Sequence, residues 1–147
     1  MARIHRAAFR ADRAWSQAEF AQLLTGFGVR SFALEDGFAL GRQVLDESEL
    51  LTIAVHPVAQ GRGIGHRLVN LWLADASQGG ATRAFLEVAA DNHPARQLYA
   101  AHGFRETGRR AGYYGRDGDA SVDALLMSRA LPDGAGPESP VRASKTG

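Results

Sequence analysis

Leu50-Leu51-Thr52-Ile53-Ala54-Val55-His56-Pro57-Val58-Ala59-Gln60-Gly61-Arg62-Gly63-Ile64-Gly65 is the stretch around which the chain is organised. Up to Val55 it is apolar and β-branched, the composition of a buried strand, and Pro57 stops it. Three glycines in five positions follow, and a helical pattern opens at Ile64. Glycines without a Cβ let the backbone approach a ligand and turn its N–H groups toward one point, which the positive end of the next helix dipole also faces. Such a point suits an anion. The sequence therefore predicts a strand, a phosphate cradle and a helix N-terminus in succession.

Working downstream, Ile64, Leu68, Leu71, Trp72 and Ala76 recur at helical spacing as far as Gly79-Gly80, which ends the helix. Residues 83–88 read as a strand reached through that crossover helix, hence parallel to the opening strand. Asp91-Asn92-His93-Pro94 is turn chemistry leading into a second helix, with Ala95, Leu98, Tyr99 and His102 on one face and Gly103 closing it. Residues 104–114 and 122–131 read as two final strands joined by residues 115–119.

Upstream, residues 29–35 and 38–44 form two strands around Asp36-Gly37, a hairpin signal, and a turn at Asp46-Glu47-Ser48 leads into the opening strand. Residues 4–9 suggest a short helix. Ser16 and Glu19 form a capping pair for a longer one that runs through Leu23 and Leu24, with Trp15 stapled on Phe20. No internal repeat is present. The expected fold is α/β of the mixed α+β kind: a central mixed, mostly antiparallel sheet with a splayed parallel strand pair and helices on both faces.

At 147 residues the chain has room for one domain, expected over residues 1–131, and the Pro- and Gly-rich remainder, 132–147, is expected to be a disordered tail. A hydrophobic share of 45% with 22% charged residues is ordinary for a soluble globular protein. No apolar run reaches the roughly 20 residues of a membrane span, and the first residues lack the core of a signal peptide, so a cytoplasmic location without membrane association is expected. With no cysteine, thiolate metal sites and an acyl-cysteine intermediate are excluded. A net charge of +1 argues against general nucleic-acid binding, although every basic residue except Lys145 is an arginine. The histidines at 5, 56, 66, 93 and 102 show no metal-ligand spacing, so no metal is expected.

Alone, the glycine turn is ambiguous. A nucleotide-hydrolase loop needs Lys and Ser or Thr after its last glycine, where this chain has His66 and Arg67, and a dinucleotide fingerprint needs a small residue where His66 stands. The pattern Gln60-x-x-Gly63-x-Gly65 between strand and helix instead resembles the acetyl-CoA loop of the GNAT acetyltransferase superfamily. Leu86-Glu87-Val88, Asp91-Asn92 and Leu98-Tyr99-x-x-x-Gly103-Phe104 resemble the second half of the same superfamily, in order and spacing. With Ala14-Trp15-Ser16, Thr52-Ile53-Ala54-Val55-x-Pro57 and Arg109-Arg110-x-x-Tyr113-Tyr114, residues 4–131 resemble the bacterial ribosomal-protein-alanine N-acetyltransferases.

That resemblance implies acetyl-CoA as co-substrate. Its pyrophosphate would lie on backbone N–H groups of Gly61, Arg62, Gly63, Ile64, Gly65 and His66, and its pantetheine arm would pair with Ile53, Ala54 and Val55 like an added strand, with Asn92 also bonding the arm. Glu87 would be the general base, with Glu49 in reserve, and Tyr99 the general acid for the leaving thiolate. Trp15, Tyr113 and Tyr114 would line the acceptor slot. The acceptor implied is the N-terminal alanine of a small-subunit ribosomal protein, with the enzyme a monomer or weak dimer. Other acceptors (a lysine, a small amine) and a non-catalytic acyl-CoA-binding module remain open, and so do structural roles for Glu87, Tyr99, Asn92 and the tyrosine pair. The family normally begins with a strand before its first helix, and this sequence opens almost directly at that helix, so either the start is misplaced or the sheet lacks that edge strand. Ala14 and Gly115 stand where relatives often carry proline, differences that should alter acceptor fit more than chemistry.

Overall fold

A computed structural model describes residues 26–116 and 119–132. Both expected N-terminal helices, Trp15 and the C-terminal tail lie outside these residues. A six-stranded mixed sheet runs in the order β1-β2-β3-β4-β6-β5. Its strands are β1 Val29–Leu34, β2 Gly37–Val44, β3 Glu47–Val55, β4 Arg83–Ala89, β5 Arg105–Arg116 and β6 Asp119–Ala130. Helix α1, Ile64–Gln78, crosses from β3 to β4, and α2, His93–Ala101, connects β4 to β5. All neighbouring strands are antiparallel except β3 and β4, which are parallel, as a crossover connection requires.

The strands run where the sequence places them, with shifted ends. The first hairpin turns at Glu35-Asp36, so Gly37 already pairs with Leu34. The second turn is Leu45-Asp46 rather than Asp46-Glu47-Ser48, because Val44 pairs directly with Glu47 and Leu45 adopts a left-handed φ of 57°. A leucine carries no signal for that conformation. The final hairpin is longer than expected, its strands reaching Arg116 and Asp119.

Both described helices cover one face of the sheet, where Leu68, Val69, Trp72 and Ala76 of α1 and Tyr99 of α2 join Ala84, Leu86, Val88, Leu125 and Met127 in one buried cluster. Trp72 is its centre. Its ring stacks on Phe104 at 5.8 Å between centroids, and its indole N–H donates to the buried Ser48 Oγ at 2.9 Å, the partner a buried indole needs. The ring fits because Gly41 lies beneath it: a Cβ there would stand 2.8 Å from two ring atoms.

A bulge in β3 decides what faces these helices further along. Leu40 opposes Thr52 while Gly41 opposes Leu50, leaving Leu51 unopposed. One extra residue inverts the alternation of a strand. Leu50 before the bulge and Ile53 and Val55 after it therefore face the same helical layer, with Ile53 and Val55 packed against the core.

The ends of the two helices meet at His66 and His102, whose Nδ1 and Nε2 lie 3.0 Å apart. Arg129 also donates to the His102 carbonyl at 2.8 Å. Burial first, then the charges of His66 and Arg129, hold His102 below the usual histidine range of 6.5.

Two outcomes are expected. Gly41→Ala should cost about 1–3 kcal/mol through overpacking against Trp72, read as a lower urea midpoint; an unchanged midpoint would contradict the contact. Because the folded pKa of His102 is depressed, its contribution to stability is intact above the unfolded value of 6.5 and is lost as pH falls from there through the folded value, the unfolded chain taking up the proton first. His102→Asn should flatten this acid loss in urea titrations across that window, and an equal loss in both proteins would remove His102 as its source.

Candidate active site

The glycine turn is folded back on the end of β3. His56 Nδ1 accepts from the Val58 N–H at 3.3 Å and caps a single 3-10 turn, Pro57–Ala59. The Gln60 side chain then donates to the Val55 carbonyl at 3.1 Å. Gly61 and Gly63 follow with φ of 87° and 79°, a conformation that disfavours other residues. Gly63 caps the 15-residue α1 without any side-chain hydrogen bond. The first N–H groups of a helix have no partner inside it, so those of Ile64, Gly65 and His66 need acceptors from elsewhere. A Cβ at Gly61 or Gly63 would meet nothing within 4 Å, so these glycines clear space outside the protein.

That space is a cavity of about 530 Å³. Ile53, Ala54 and Val55 form one wall, Gln60, Gly61, Gly63, Ile64, Gly65 and His66 the anion-seeking end, and Asn92, Pro94, Ala95 and Leu98 of α2 the opposite wall. The structure thus gathers every expected cofactor-binding residue except Arg62, which is exposed on the turn and not among the lining residues. Asn92 combines two of its expected roles of place: Oδ1 accepts from the Ala95 N–H at 3.2 Å as the cap of α2, while the residue lines the cavity.

The cavity opens where the sheet parts. β3 and β4 pair only at Glu47↔Arg83, Ser48↔Ala84 and Glu49↔Phe85, although β3 continues to Val55 and β4 to Ala89. Beyond Glu49 the facing edges have no ladder partner among the described residues, which gives an extended ligand backbone-like hydrogen bonds to complete. The expected splay is present.

Glu87 stands on the parted section of β4. Its neighbours Leu86 and Val88 enter the core, so it faces away from the helices, where its carboxylate lies 3.0 Å from Arg110 Nη2. Glu49, the reserve base, occupies the last paired position and lies 3.5 Å from Arg42. Glu87 therefore borders the gap, and Glu49 the closed end. Tyr99 is buried edge-on against Phe104 at 6.1 Å and is not among the cavity-lining residues, although it directly follows Leu98, which is. Tyr113 is half exposed with Arg110 over its ring at 4.9 Å. Tyr114 pairs with Val122 in the ladder, and Trp15 lies outside the described residues.

Several contributors carried weaker signals. Gln60 was part of the turn pattern, yet only the fold shows its side chain holding the Val55 carbonyl. Ala95 and Leu98 share a helical face with Tyr99, which was readable as a core stripe and serves also as a wall. His102 is 36 residues from His66, and no local spacing connects them. Among the described residues no group of three metal-ligating side chains occurs, and no helix is long and apolar enough to cross a membrane.

Residues 3–104 match the acetyltransferase (GNAT) family. The chain is 39% identical to the N-alpha-acetyltransferase RimI of Mycobacterium tuberculosis over 134 residues, covering 85% of this chain and 81% of that protein. It is 34% identical to the [ribosomal protein bS18]-alanine N-acetyltransferase of Escherichia coli, with 80% of each chain covered. The crystal structure of the ribosomal-protein-S18-alanine N-acetyltransferase from Escherichia coli superimposes with a TM-score of 0.82 at 32% identity, covering 93% of this chain and 88% of that one. A glycine turn, a parted parallel pair and these relatives agree: the chain belongs to the GNAT acetyltransferase family and is an N-acetyltransferase.

Proposed function

We propose that the protein transfers the acetyl group of acetyl-CoA to the N-terminal α-amine of a protein, and that its acceptor is the alanine of ribosomal protein bS18 named for its relatives. The observation that carries this reading is the cavity that joins the uncapped start of α1 to the open edge of β3. An anionic pyrophosphate suits the first, and an extended amide-bearing arm suits the second. Asn92, with Oδ1 engaged as a cap, offers its amide N–H groups to the arm. A cytoplasmic location fits an acceptor made on the ribosome.

The thioester lies at the gap, and the amine approaches from the face that Glu87 occupies. Only a neutral amine attacks. An α-amine with a pKa of about 7.7–8.0 is neutral a few hundred times more often at pH 7 than a lysine at about 10.4. Glu87, directly or through one water, takes the remaining proton, and backbone N–H groups near Val55 hold the oxyanion. The C–N bond forms as the C–S bond breaks, and Tyr99 protonates the departing thiolate. Burial of Tyr99 in the core also suits a packing role, so its variant must be read on both stability and turnover.

Acetyl-CoA consumption should rise with alanine-initiated peptides and stay at background with peptides bearing only internal lysine or with polyamines; lysine-only turnover would sink the α-amine reading. Glu87→Gln should leave acetyl-CoA affinity intact and lower kcat about 10²–10⁴-fold, and unchanged turnover across pH would remove Glu87 as the base. Tyr99→Phe should lower kcat with the urea midpoint kept, whereas a fallen midpoint with normal kcat would leave it a core residue. Gly63→Ala should weaken acetyl-CoA binding by calorimetry while costing stability only about 1–2 kcal/mol for its left-handed backbone; equal affinity would place the cofactor elsewhere.

A further inference from the structure

The acceptor side of the sheet carries a feature that acetyl transfer alone does not call for. Strand β5 is interrupted between Arg110, which pairs with Ala124, and Tyr114, which pairs with Val122, so three residues oppose Asp123 alone. The Asp123 carboxylate holds this bulge from below. One oxygen accepts from the Gly112 N–H at 2.8 Å and the other from Arg109 Nη1 at 2.9 Å. Gly112 turns through a φ of 63°. Adjacent arginines thereby receive different work: Arg109 is committed to Asp123 and to Glu106 at 3.5 Å, whereas Arg110 reaches across to Glu87 at 3.0 Å while resting over the Tyr113 ring at 4.9 Å.

We propose that Arg110 is the resident counter-ion of the acceptor site, occupying the Glu87 carboxylate until the acceptor amine displaces it. This inference rests on the reading of Glu87 as the general base. Near neutral pH most α-amines arrive as ammonium ions, and the base must be within hydrogen-bond reach of the proton it takes. In the free enzyme that place already holds a positive charge. Two cations on one partly buried carboxylate repel, so the amine and the guanidinium compete.

The geometry favours displacement over a fixed clamp. An arginine that orients a carboxylate does so best through a two-pronged, buried fork. Here the closest approach is Arg110 Nη2 to Glu87 Oε2 at 3.0 Å, and the Arg110 side chain is 61% exposed against 23% for Glu87, so the guanidinium end of the pair is not buried. Ion pairs this wet are weak and easily broken. The Tyr113 face gives the released guanidinium a seat it already occupies, since cation–π contact persists when the carboxylate is lost. Until displacement, Arg110 keeps other solution cations off the base, and it raises the acceptor concentration needed for half-saturation.

Steady-state kinetics of wild type, Arg110→Gln and Arg110→Lys at saturating acetyl-CoA test this, with an alanine-initiated peptide and with alaninamide as acceptors. Arg110→Gln should lower the acceptor KM about three- to fivefold, the scale of an exposed ion pair, and by the same factor for both acceptors, because the competition is at the amine. Its kcat should change less than its KM, and the KM for acetyl-CoA should not move. Arg110→Lys, which keeps the charge, should stay near the wild-type KM. A tenfold fall in kcat with unchanged acceptor KM in Arg110→Gln would instead make Arg110 an orienting clamp and overturn the proposal. Wild-type KM values in an active Arg110→Gln enzyme would overturn it too, leaving acetyl transfer standing, whereas a wild type that acetylates neither acceptor would remove the reading on which it rests.

Discussion

Two parallel strands that pair at three positions and then separate are the constraint on which the rest of the structure depends. A buried strand edge without a ladder partner is costly, since each peptide group left without a hydrogen bond loses a contact it had with water. The fold tolerates the parting of β3 and β4 because the edges open into a cavity rather than into the core. An extended amide ligand can then complete the ladder, the role proposed for the pantetheine arm of acetyl-CoA.

The helical layer is built to keep that opening in place. Gly41 admits the Trp72 ring, Ser48 satisfies its indole, and the two together set α1 down on the sheet. The unopposed Leu51 then turns Ile53 and Val55 toward the same layer, so the strand end that forms the cavity wall also packs against the core. Gln60 fastens the glycine turn to the Val55 carbonyl. That hydrogen bond ties the turn ahead of α1 to the strand edge. On the other face, Glu87 and the Asp123-braced bulge carrying Arg110 and Tyr113 form the surface proposed to receive the amine.

Much of this architecture is legible in the sequence. The strand, the glycine turn and α1 follow from an apolar run, a proline and a helical stripe, and the parallel pairing of β4 follows from the crossover. The residues expected to bind the cofactor followed from resemblance, and one cavity gathers them with the exception of Arg62. What escaped depends on tertiary accidents of position. Leu45 turns in a left-handed conformation that its side chain does not favour, so polarity placed that turn too late. The bulge at Leu51 arises from register between strands, and the contact of His66 with His102 joins two helix ends far apart in sequence. The Glu87–Arg110 pair likewise crosses from β4 to β5, and neither residue announces the other.

On the proposed reading, acetyl-CoA binds across the uncapped start of α1 and the open edge of β3. Amide hydrogen exchange of the protein with and without CoA tests this most directly, because binding there gives acceptors to particular N–H groups. Protection should appear at residues 53–55 and 61–66, with little change along β1 and β2. Protection confined to other segments, for instance the polar groove formed by His102, Arg105, Thr107, Ser128 and Arg129, with none at the glycine turn, would contradict it.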